Sequence, residues 1–206
     1  MIDVLHRFPI STLCAPPTIY RQLVLSENQK YLAKHPPRAL GHCTGAGEPL
    51  NDSVIRTWEK MTGKGIHDGY GQTETIMICG NFLGETIKPG SMGKPSPGVP
   101  LHTVNAEGKE CKIGEEGDIG VLISSAAGKS DFFGLFDGYL RDDGSLDRRI
   151  KTYGEDSWYL TGDRAVRDGD GYFWFVGRAD DVINSSGYRI GFVFYPLHHD
   201  LSLHFR

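Results

Sequence analysis

One octapeptide of the 206-residue chain, Asp68-Gly69-Tyr70-Gly71-Gln72-Thr73-Glu74-Thr75, combines side chains that could bind a nucleotide. Tyr70 offers a flat ring for a base, and Gly71 allows the backbone to approach a ligand closely. Thr73 supplies a hydroxyl for a phosphate oxygen, and Glu74 supplies a hard oxygen ligand for Mg²⁺. The alternative is a structural loop, in which Tyr70 caps a core and Thr73 and Glu74 open a helix.

Two further segments place polar groups directly after a predicted strand. In Tyr159-Leu160-Thr161-Gly162-Asp163, the carboxylate of Asp163 could accept hydrogen bonds from both hydroxyls of a ribose, or it could belong to a tight turn. In Gly45-Ala46-Gly47-Glu48-Pro49-Leu50, the backbone could line a flat ring or an acyl chain. The alternative for this second segment is a turn between a strand and a helix, with Asn51 as the helix cap.

A third segment, residues 177–191, holds two arginines that stand 11 residues apart, Arg178 and Arg189. The planar guanidinium of arginine binds two phosphate oxygens at once, so both residues are candidate phosphate ligands. A surface ion pair with Asp180 or Asp181 would explain Arg178 alone. It would not explain a second arginine immediately after a Ser-Gly-Tyr turn.

The elements that must position these groups change in type along the chain. Residues 1–25 are predicted to form a strand, a loop and a helix capped by Thr18, and residues 26–37 a linker-like loop. A strand over residues 38–43, a helix over residues 51–63 and a strand over residues 64–67 follow. This alternation predicts part of a parallel α/β sheet, because complete sheets have about four to six strands.

Helical periodicity disappears near residue 90, and short strands are predicted for the rest of the chain. Their expected positions are residues 101–104, 117–124, 158–161 and 172–176. Asp168-Gly169-Asp170-Gly171 is a strong hairpin signal. A small antiparallel sheet, similar to a β-barrel, is therefore expected to follow the α/β part.

Composition restricts the possible partners. The net charge is −4, the isoelectric point is about 6.0 and the mean hydropathy is −0.33, without any block of Lys and Arg. These values argue against nucleic acid or an anionic membrane as the main partner, and no segment reaches transmembrane length. The four cysteines form no C-x-x-C pair, which favours reduced thiols and an intracellular location, either mitochondrial or cytoplasmic. The oligomeric state is not predicted.

Three motifs in a fixed order, YGQTE, YLTGD and GRADDVINSSGYRIG, resemble those of the adenylate-forming superfamily, which includes acyl-CoA synthetases, luciferases and peptide-synthetase adenylation domains. The segments GEPLN, GYGQTET and SSGYRIG are most similar to medium-chain and acetyl-type acyl-CoA synthetases. The resemblance covers about residues 5–191. It implies an incomplete large domain, with an α/β subdomain over residues 1–98, a β-rich subdomain over residues 99–179, and the hinge and start of a C-terminal domain over residues 180–206.

The resemblance also implies roles for individual residues. Around the nucleotide, Gly47, Glu48 and Pro49 would border the adenine, and residues 68–73 (Asp68, Gly69, Tyr70, Gly71, Gln72 and Thr73) would form the adenine and phosphate loop. Asp163 would bind the ribose, and Arg178 would reach ribose and phosphate. The implied catalytic residues are Thr73, Glu74 and Arg178, with Glu74 as the Mg²⁺ ligand.

For the second substrate, coenzyme A, the resemblance implies contacts from Ser186, Gly187 and Tyr188. Arg189 would meet phosphate groups of either ligand, and Asp180 would lie at the hinge. The implied reaction joins a fatty or other carboxylic acid to AMP from ATP, with release of pyrophosphate, and then transfers the acyl group to CoA. Such chemistry depends on positioning and on neutralising phosphate charge.

Two features of the superfamily are absent from this sequence. Its Ser/Thr/Gly-rich phosphate loop would precede residue 1, and its lysine-bearing C-terminal domain would follow Gly191, where this chain continues for 15 residues to Arg206. The chain is therefore expected to be a fragment, cut at both ends. The alternative function is a non-catalytic nucleotide-binding fragment or truncated isoform, and an adenylation domain that serves a carrier protein is a third hypothesis.

Overall fold

Helices and parallel strands alternate at the start of the chain. The computed structural model describes residues 1–130, 132–179, 182–185 and 188–191. The first sheet and its helices comprise α1 (Ile2–Arg7), β1 (Thr12–Cys14), α2 (Pro17–Leu23), α3 (Ser26–Lys34), β2 (His42–Ala46), α4 (Asp52–Thr62), β3 (Ile66–Gln72), β4 (Ile76–Gly80) and β5 (Lys94–Pro95). The strands lie in sequence order, with β1, β2 and β3 parallel and β4 and β5 antiparallel to their neighbours.

The remaining strands are antiparallel, and most of them form a curled second sheet. They are β6 (Leu101–Val104), β7 (Glu116–Ser125), β8 (Gly128–Lys129), β9 (Tyr139–Leu140), β10 (Leu146–Asp147), β11 (Ile150–Tyr153), β12 (Asp156–Arg167), β13 (Phe173–Arg178), β14 (Val182–Ser185) and β15 (Tyr188–Gly191). The second sheet runs β11-β12-β7-β6, with β13 beside β12 and β8 beside β7. Two small hairpins, β9-β10 and β14-β15, lie outside it. The mixed fold class, part of a parallel α/β sheet followed by a small antiparallel sheet, is confirmed.

Two predictions for the first 40 residues were wrong. Residues 26–34 form α3 rather than a linker, because one buried residue, Leu32, and the half-buried Tyr31 are enough to fix a polar helix on the core. A short helix, α1, also precedes the first strand, with Leu5 buried and Ile2 packed against the same core. A helix that buries so few side chains gives little periodic signal in the sequence.

The ends of the other helices show which cap predictions were correct. Helix α2 begins at Pro17, where proline is favoured because its missing N–H has no partner at a helix start. Thr18 is therefore not a cap, and its hydroxyl instead donates to the Glu48 carboxylate at 2.8 Å. Asn51 stands at the N-cap position of α4, but its side chain makes no capping hydrogen bond. Gly63, whose left-handed φ of 69° is typical of a helix C-terminus, follows the last helical residue, Thr62, as predicted.

Two apolar cores hold the molecule together. In the first core, the fully buried Trp58 of α4 meets the ring of Tyr20 edge-on at 5.4 Å, and its indole N–H lies 3.3 Å from Sγ of Cys43 on β2. The second core joins the sheets, because Ile78 of β4 packs in one cluster with Phe173 of β13 and residues of β7 and β12. The two sheets therefore share an interior, and residues at their junction are held in fixed relation.

Three further features can be compared with the sequence: the cysteines, the absence of long apolar segments and the turn at residues 168–171. All four cysteines are free thiols, of which Cys14 is exposed and Cys43, Cys79 and Cys111 are buried. Within the described part of the chain, no helix is both long and apolar enough to cross a membrane. The turn at residues 168–171 joins β12 to β13 as predicted, with the Asp168 N–H donating to the Tyr172 carbonyl at 2.9 Å.

Trp58 gives a direct test of the first core. Replacing it by alanine should lower the free energy of unfolding by about 3–5 kcal/mol, because the change leaves a large cavity between α4 and the sheet. Urea denaturation followed by circular dichroism measures the effect. Phe133→Ala is the matched control, since Phe133 is 95% exposed and its removal should change stability by less than about 0.5 kcal/mol. Similar losses in both variants would contradict this account of the core.

Candidate nucleotide-binding site

The prediction that residues 68–75 form a loop after a strand was wrong. The first five of these residues, 68–72, are the end of β3 itself. The chain then turns at residues 73–75, where the Gln72 N–H donates to the Thr75 hydroxyl at 3.0 Å, and returns along β4. Gly71 is required by this turn, because a Cβ there would lie 1.9 Å from the carbonyl oxygen of Ile76. Ile76 has a left-handed φ of 59°, an unusual and strained conformation for a β-branched residue.

Asp163 is the centre of a hydrogen-bond network that links the two sheets. Its side chain is only 6% exposed, and it accepts bonds from three donors. The Tyr70 hydroxyl and the Gln72 amide nitrogen, both from β3, lie 2.5 Å and 3.0 Å from Oδ2. The Arg178 guanidinium, from β13, lies 3.1 Å from Oδ1. The three predicted ligand-binding residues Tyr70, Asp163 and Arg178 therefore meet at one point.

Gln72 makes two further bonds that lock β3 against β12. Its amide nitrogen also donates to the carbonyl of Thr161 at 2.9 Å, and its amide oxygen accepts from the Tyr159 hydroxyl at 3.3 Å. The sequence motif alone did not indicate a role for Gln72 in joining the sheets. It serves as a bridge because its side chain carries both donors and an acceptor.

A cavity of about 470 Å³ opens beside this network. Its lining includes eleven of the predicted ligand-binding residues: Gly47, Glu48, Pro49, Asp68, Gly69, Tyr70, Gly71, Gln72, Thr73, Asp163 and Arg178. It also includes Ala46 and Leu50 of the predicted lining segment, residues 45–50, and five residues that the sequence reasoning missed: Ile76, Met77, Gly90, Met92 and Phe175. These apolar residues gave no signal, since an apolar side chain that faces a cavity looks the same in sequence as one that faces a core.

The segment from Gly47 to Pro49 is fixed by bonds to α2. The Glu48 carboxylate accepts from the Thr18 hydroxyl and from the Arg21 guanidinium at 3.0 Å, and Arg21 also donates to the Pro49 carbonyl at 2.9 Å. Gly47 has a left-handed φ of 96°. The Glu48 carboxylate is thus occupied by α2, so the rigid backbone of this turn is the group best placed to border a ligand.

Glu74, the predicted Mg²⁺ ligand, lies outside the lining of the cavity. Its carboxylate accepts a hydrogen bond from the Tyr139 hydroxyl of β9, and its carbonyl accepts from the Phe136 N–H at 2.8 Å. Among the residues that the structure describes, no group of three or more His, Cys, Asp and Glu side chains could hold a metal ion. A single carboxylate is compatible with Mg²⁺, which binds proteins through one or two carboxylates together with substrate phosphates.

The predicted CoA-binding and hinge residues are only partly covered by the structure. Asp180, Ser186 and Gly187 lie outside the described residues. Tyr188 and Arg189 lie on β15, where they pair with Ser185 and Asn184 of β14. Their proposed contacts with CoA and phosphate stay predictions, as do the domain boundaries at residues 98 and 179.

A second cavity, of about 530 Å³, adjoins the first. The two cavities share three lining residues, Ala46, Asp68 and Met77, and the second is otherwise lined by Cys14, His42, Thr44, Gly45, His67, Gly80, Asn81, Phe82 and Leu83. Residues 42, 44 and 46 alternate along β2, so they share one face of the strand. This cavity therefore lies along one face of the parallel strands and reaches the first cavity at their carboxyl ends.

Burial changes the acid–base properties of groups around both cavities. Burial raises the pKa of Asp68 to about 7, against a weaker opposing effect of the Gly69 N–H. Burial, with a smaller contribution from the nearby ring of His67, lowers the pKa of His42. Burial and the Asp163 carboxylate raise the pKa of Tyr70, so its hydroxyl stays protonated and keeps donating to Asp163. Close to neutral pH, Asp68 is therefore a mixture of acid and carboxylate.

This architecture has the fold of the large domain of adenylate-forming enzymes. A family model described as AMP-binding enzyme matches residues 1–139, and the chain therefore belongs to the AMP-binding enzyme family. It is 46% identical over 191 residues to acyl-coenzyme A synthetase ACSM3, mitochondrial, from Homo sapiens. That alignment covers 93% of this chain and 30% of the relative, so the chain spans about a third of the length of such proteins.

Solved structures show the same relationship at lower identity. The crystal structure of an acyl-CoA synthetase from Brucella canis matches with a TM-score of 0.71 and 35% identity, over 92% of this chain and 33% of that one. A malonyl-CoA ligase, in a ternary product complex with methylmalonyl-CoA and AMP, matches with a TM-score of 0.70 and 29% identity, over 92% and 38% of the two chains.

Asp68 predicts how stability depends on pH. Its pKa is raised in the folded state, so the folded protein holds a proton that the unfolded chain has released, and stability should fall as pH rises from about 4 to 7. The full effect on the free energy of unfolding is about 4 kcal/mol, since each unit of pKa difference between the folded and unfolded states corresponds to about 1.4 kcal/mol. Asp68→Asn should remove this part of the slope in urea titrations at pH 5 and pH 8, whereas Asp142→Asn, at an exposed site, should keep it. The same change in the free energy of unfolding between pH 5 and pH 8 in wild type, Asp68→Asn and Asp142→Asn would contradict this role of Asp68.

Proposed function

We propose that this chain is part of an AMP-forming ligase that joins a carboxylic acid to coenzyme A. The single observation that carries the proposal is the meeting of Tyr70, Asp163 and Arg178 at one cavity between the two sheets. These residues come from three strands and from positions up to 108 residues apart. Family membership and the names of the relatives support the same activity.

The proposed reaction has two steps. The carboxylate of the acid attacks the α-phosphorus of ATP, and pyrophosphate leaves with the electron pair of the broken P–O bond. The thiolate of CoA then attacks the acyl carbon of the adenylate, and AMP leaves. Both steps move charge on phosphate oxygens, so fixed cationic and N–H groups close to the phosphates lower the barrier.

Different residues around the first cavity bind the ribose, the phosphate and the adenine of AMP. Asp163 accepts from a ribose hydroxyl through the one acceptor position that its three protein donors leave open, because a carboxylate has about four such positions. Arg178, held at Asp163, contributes positive charge near ribose and phosphate. Thr73, which is exposed at the mouth of the cavity, offers its hydroxyl to the α-phosphate. Tyr70 and the backbone of residues 47–49 border the adenine.

The second cavity is the proposed place for the tail of the acid. It meets the first cavity at Ala46, Asp68 and Met77, so an acid that lies in it can present its carboxylate to the α-phosphate. Phe82, Leu83 and Met77 give this cavity an apolar character suited to a hydrocarbon or aromatic tail. Burial of that tail would hold the carboxylate close to the phosphorus, which is the main way such a reaction is accelerated.

The remaining partners are assigned by the predicted motifs. Mg²⁺, when bound, neutralises phosphate charge, and Glu74 is its proposed protein ligand. Tyr188 and Arg189, with Ser186 and Gly187, are the proposed contacts of CoA. The mitochondrial relatives favour a mitochondrial location over a cytoplasmic one.

Calorimetric titration with a non-hydrolysable acyl-adenylate mimic tests the proposed site. The chain should bind the mimic, and Arg178→Ala should weaken binding at least about tenfold, because a hydrogen bond to a charged group contributes about 1.5–3 kcal/mol. Arg56→Ala is the matched control, since Arg56 pairs with Asp52 on an exposed face of α4. Folded protein that takes up no mimic would refute the proposal.

Pyrophosphate release separates the ligase from the alternative, a non-catalytic nucleotide-binding fragment. The assay uses the chain with ATP, Mg²⁺, a medium-chain fatty acid and CoA. Turnover that stops in Arg178→Ala supports the ligase. Binding of the mimic without any turnover would support the non-catalytic alternative for this chain.

A further inference from the structure

Phe136 and Tyr139, which follow β8 in the chain, lie against the turn at residues 73–75 and bind both the backbone carbonyl and the carboxylate of Glu74. The Phe136 N–H donates to the Glu74 carbonyl at 2.8 Å, and the Tyr139 hydroxyl donates to Oε1 of the Glu74 carboxylate. Tyr139 stands 65 residues after Glu74 in the chain. No sequence motif connects these two residues, so their contact follows from the fold alone.

The position of Tyr139 is itself well determined. Its ring meets the ring of Phe136 edge-on, with centroids 4.9 Å apart, and Phe136 meets Tyr159 in the same way at 6.0 Å. The backbone of Tyr139 pairs with Asp147 in the β9-β10 hairpin, which an ion pair between Arg141 and Asp147 closes at 3.0 Å. The phenol therefore approaches Glu74 from a fixed direction.

The same aromatic cluster also contacts the other side of the turn. The Tyr159 hydroxyl donates to the amide oxygen of Gln72, and Gln72 in turn donates to Asp163. Burial raises the pKa of Tyr159, and the negative charge of nearby Glu74 raises it further. Phe136, Tyr139 and Tyr159 thus connect Glu74 to the network at Asp163.

We propose that Tyr139 is a positioning residue for the Glu74 carboxylate, which it holds in one orientation for a divalent cation that arrives with the nucleotide phosphates. This inference rests on the proposed function, in which Glu74 is the cation's protein ligand. A glutamate that is already oriented loses less rotamer freedom when it binds a metal. The phenol occupies one acceptor position of the carboxylate and leaves others for the cation.

The size of the effect follows from the behaviour of metal sites in general. Groups that hydrogen-bond a metal-ligating carboxylate usually contribute about 10- to 100-fold to metal affinity. The same bond contributes little to folding here, since Tyr139 is 48% exposed. Loss of the hydroxyl should therefore weaken cation binding much more than it lowers stability.

Electron paramagnetic resonance of Mn²⁺ tests the role of Tyr139 without any turnover. Mn²⁺ is titrated into a mixture in which the chain is in excess over ATP, and a protein-free titration with the same ATP is subtracted, because free ATP also binds Mn²⁺. The remaining loss of the free-ion signal measures binding of the cation to the protein–ATP complex. Tyr139→Phe should weaken Mn²⁺ binding about tenfold or more, and Glu74→Gln at least as much. Tyr31→Phe is the matched control, because the Tyr31 hydroxyl makes a similar bond to the Asp3 carboxylate at 2.6 Å, far from the site.

The outcomes separate this inference from the proposed function. Wild-type protein that binds no ATP would overturn both. Wild-type protein that binds Mn²⁺ with ATP, and a Tyr139→Phe protein with equal Mn²⁺ affinity, would overturn the role of Tyr139 alone. The thermal unfolding midpoint is measured in parallel, and a drop of more than about 8 °C in Tyr139→Phe would overturn the proposal as well, because the hydroxyl would then be a structural group.

Discussion

A nearly buried carboxylate, Asp163, is the constraint on which the arrangement of the two sheets depends. A charge with 6% side-chain exposure is costly unless it is paired and hydrogen-bonded. Its partners come from both sides of the junction: Tyr70 and Gln72 belong to the first sheet, and Arg178 belongs to the second. The carboxylate is therefore stable only when the sheets are docked, and the docking creates the cavity that adjoins it.

The backbone of β12 explains how Asp163 reaches this position. Leu160 pairs with Gly120 of β7 and Arg164 pairs with Asp118, so three residues of β12 stand opposite one residue of β7. Gly162, with a left-handed φ of 79°, lies in this bulge. A bulge bends a strand and redirects a side chain, which is why bulges are frequent beside functional sites. The Thr-Gly-Asp motif therefore bends the backbone of β12 and also supplies groups that could bind a ligand.

Much of the site could be predicted from sequence because nucleotide chemistry demands recognisable groups. Helix α4 and the presence of strands beside the three motifs were correctly inferred, but Tyr70, Asp163 and Arg178 lie within β3, β12 and β13 and not beyond the predicted strand ends. The apolar lining from Met77, Met92 and Phe175 could not be, since side chains that face a cavity and side chains that face a core follow the same periodicity. Helix α3 was missed because a polar helix can be held by tertiary contacts rather than by amphipathic pattern. Gly71 is needed because a Cβ at this position would collide with the backbone of Ile76, and not because a ligand approaches it, as the sequence reasoning assumed.

The proposed function requires that one AMP moiety binds in the cleft shared by both sheets. Titration of AMP into ¹⁵N-labelled protein, followed by amide chemical shifts, measures this binding at each strand. Amides at Gly69 and Gly71 on β3, at Gly162 and Asp163 on β12, and at Arg178 on β13 should shift together and give a single dissociation constant. Shifts confined to one sheet, or two groups of shifts with different dissociation constants, would contradict it.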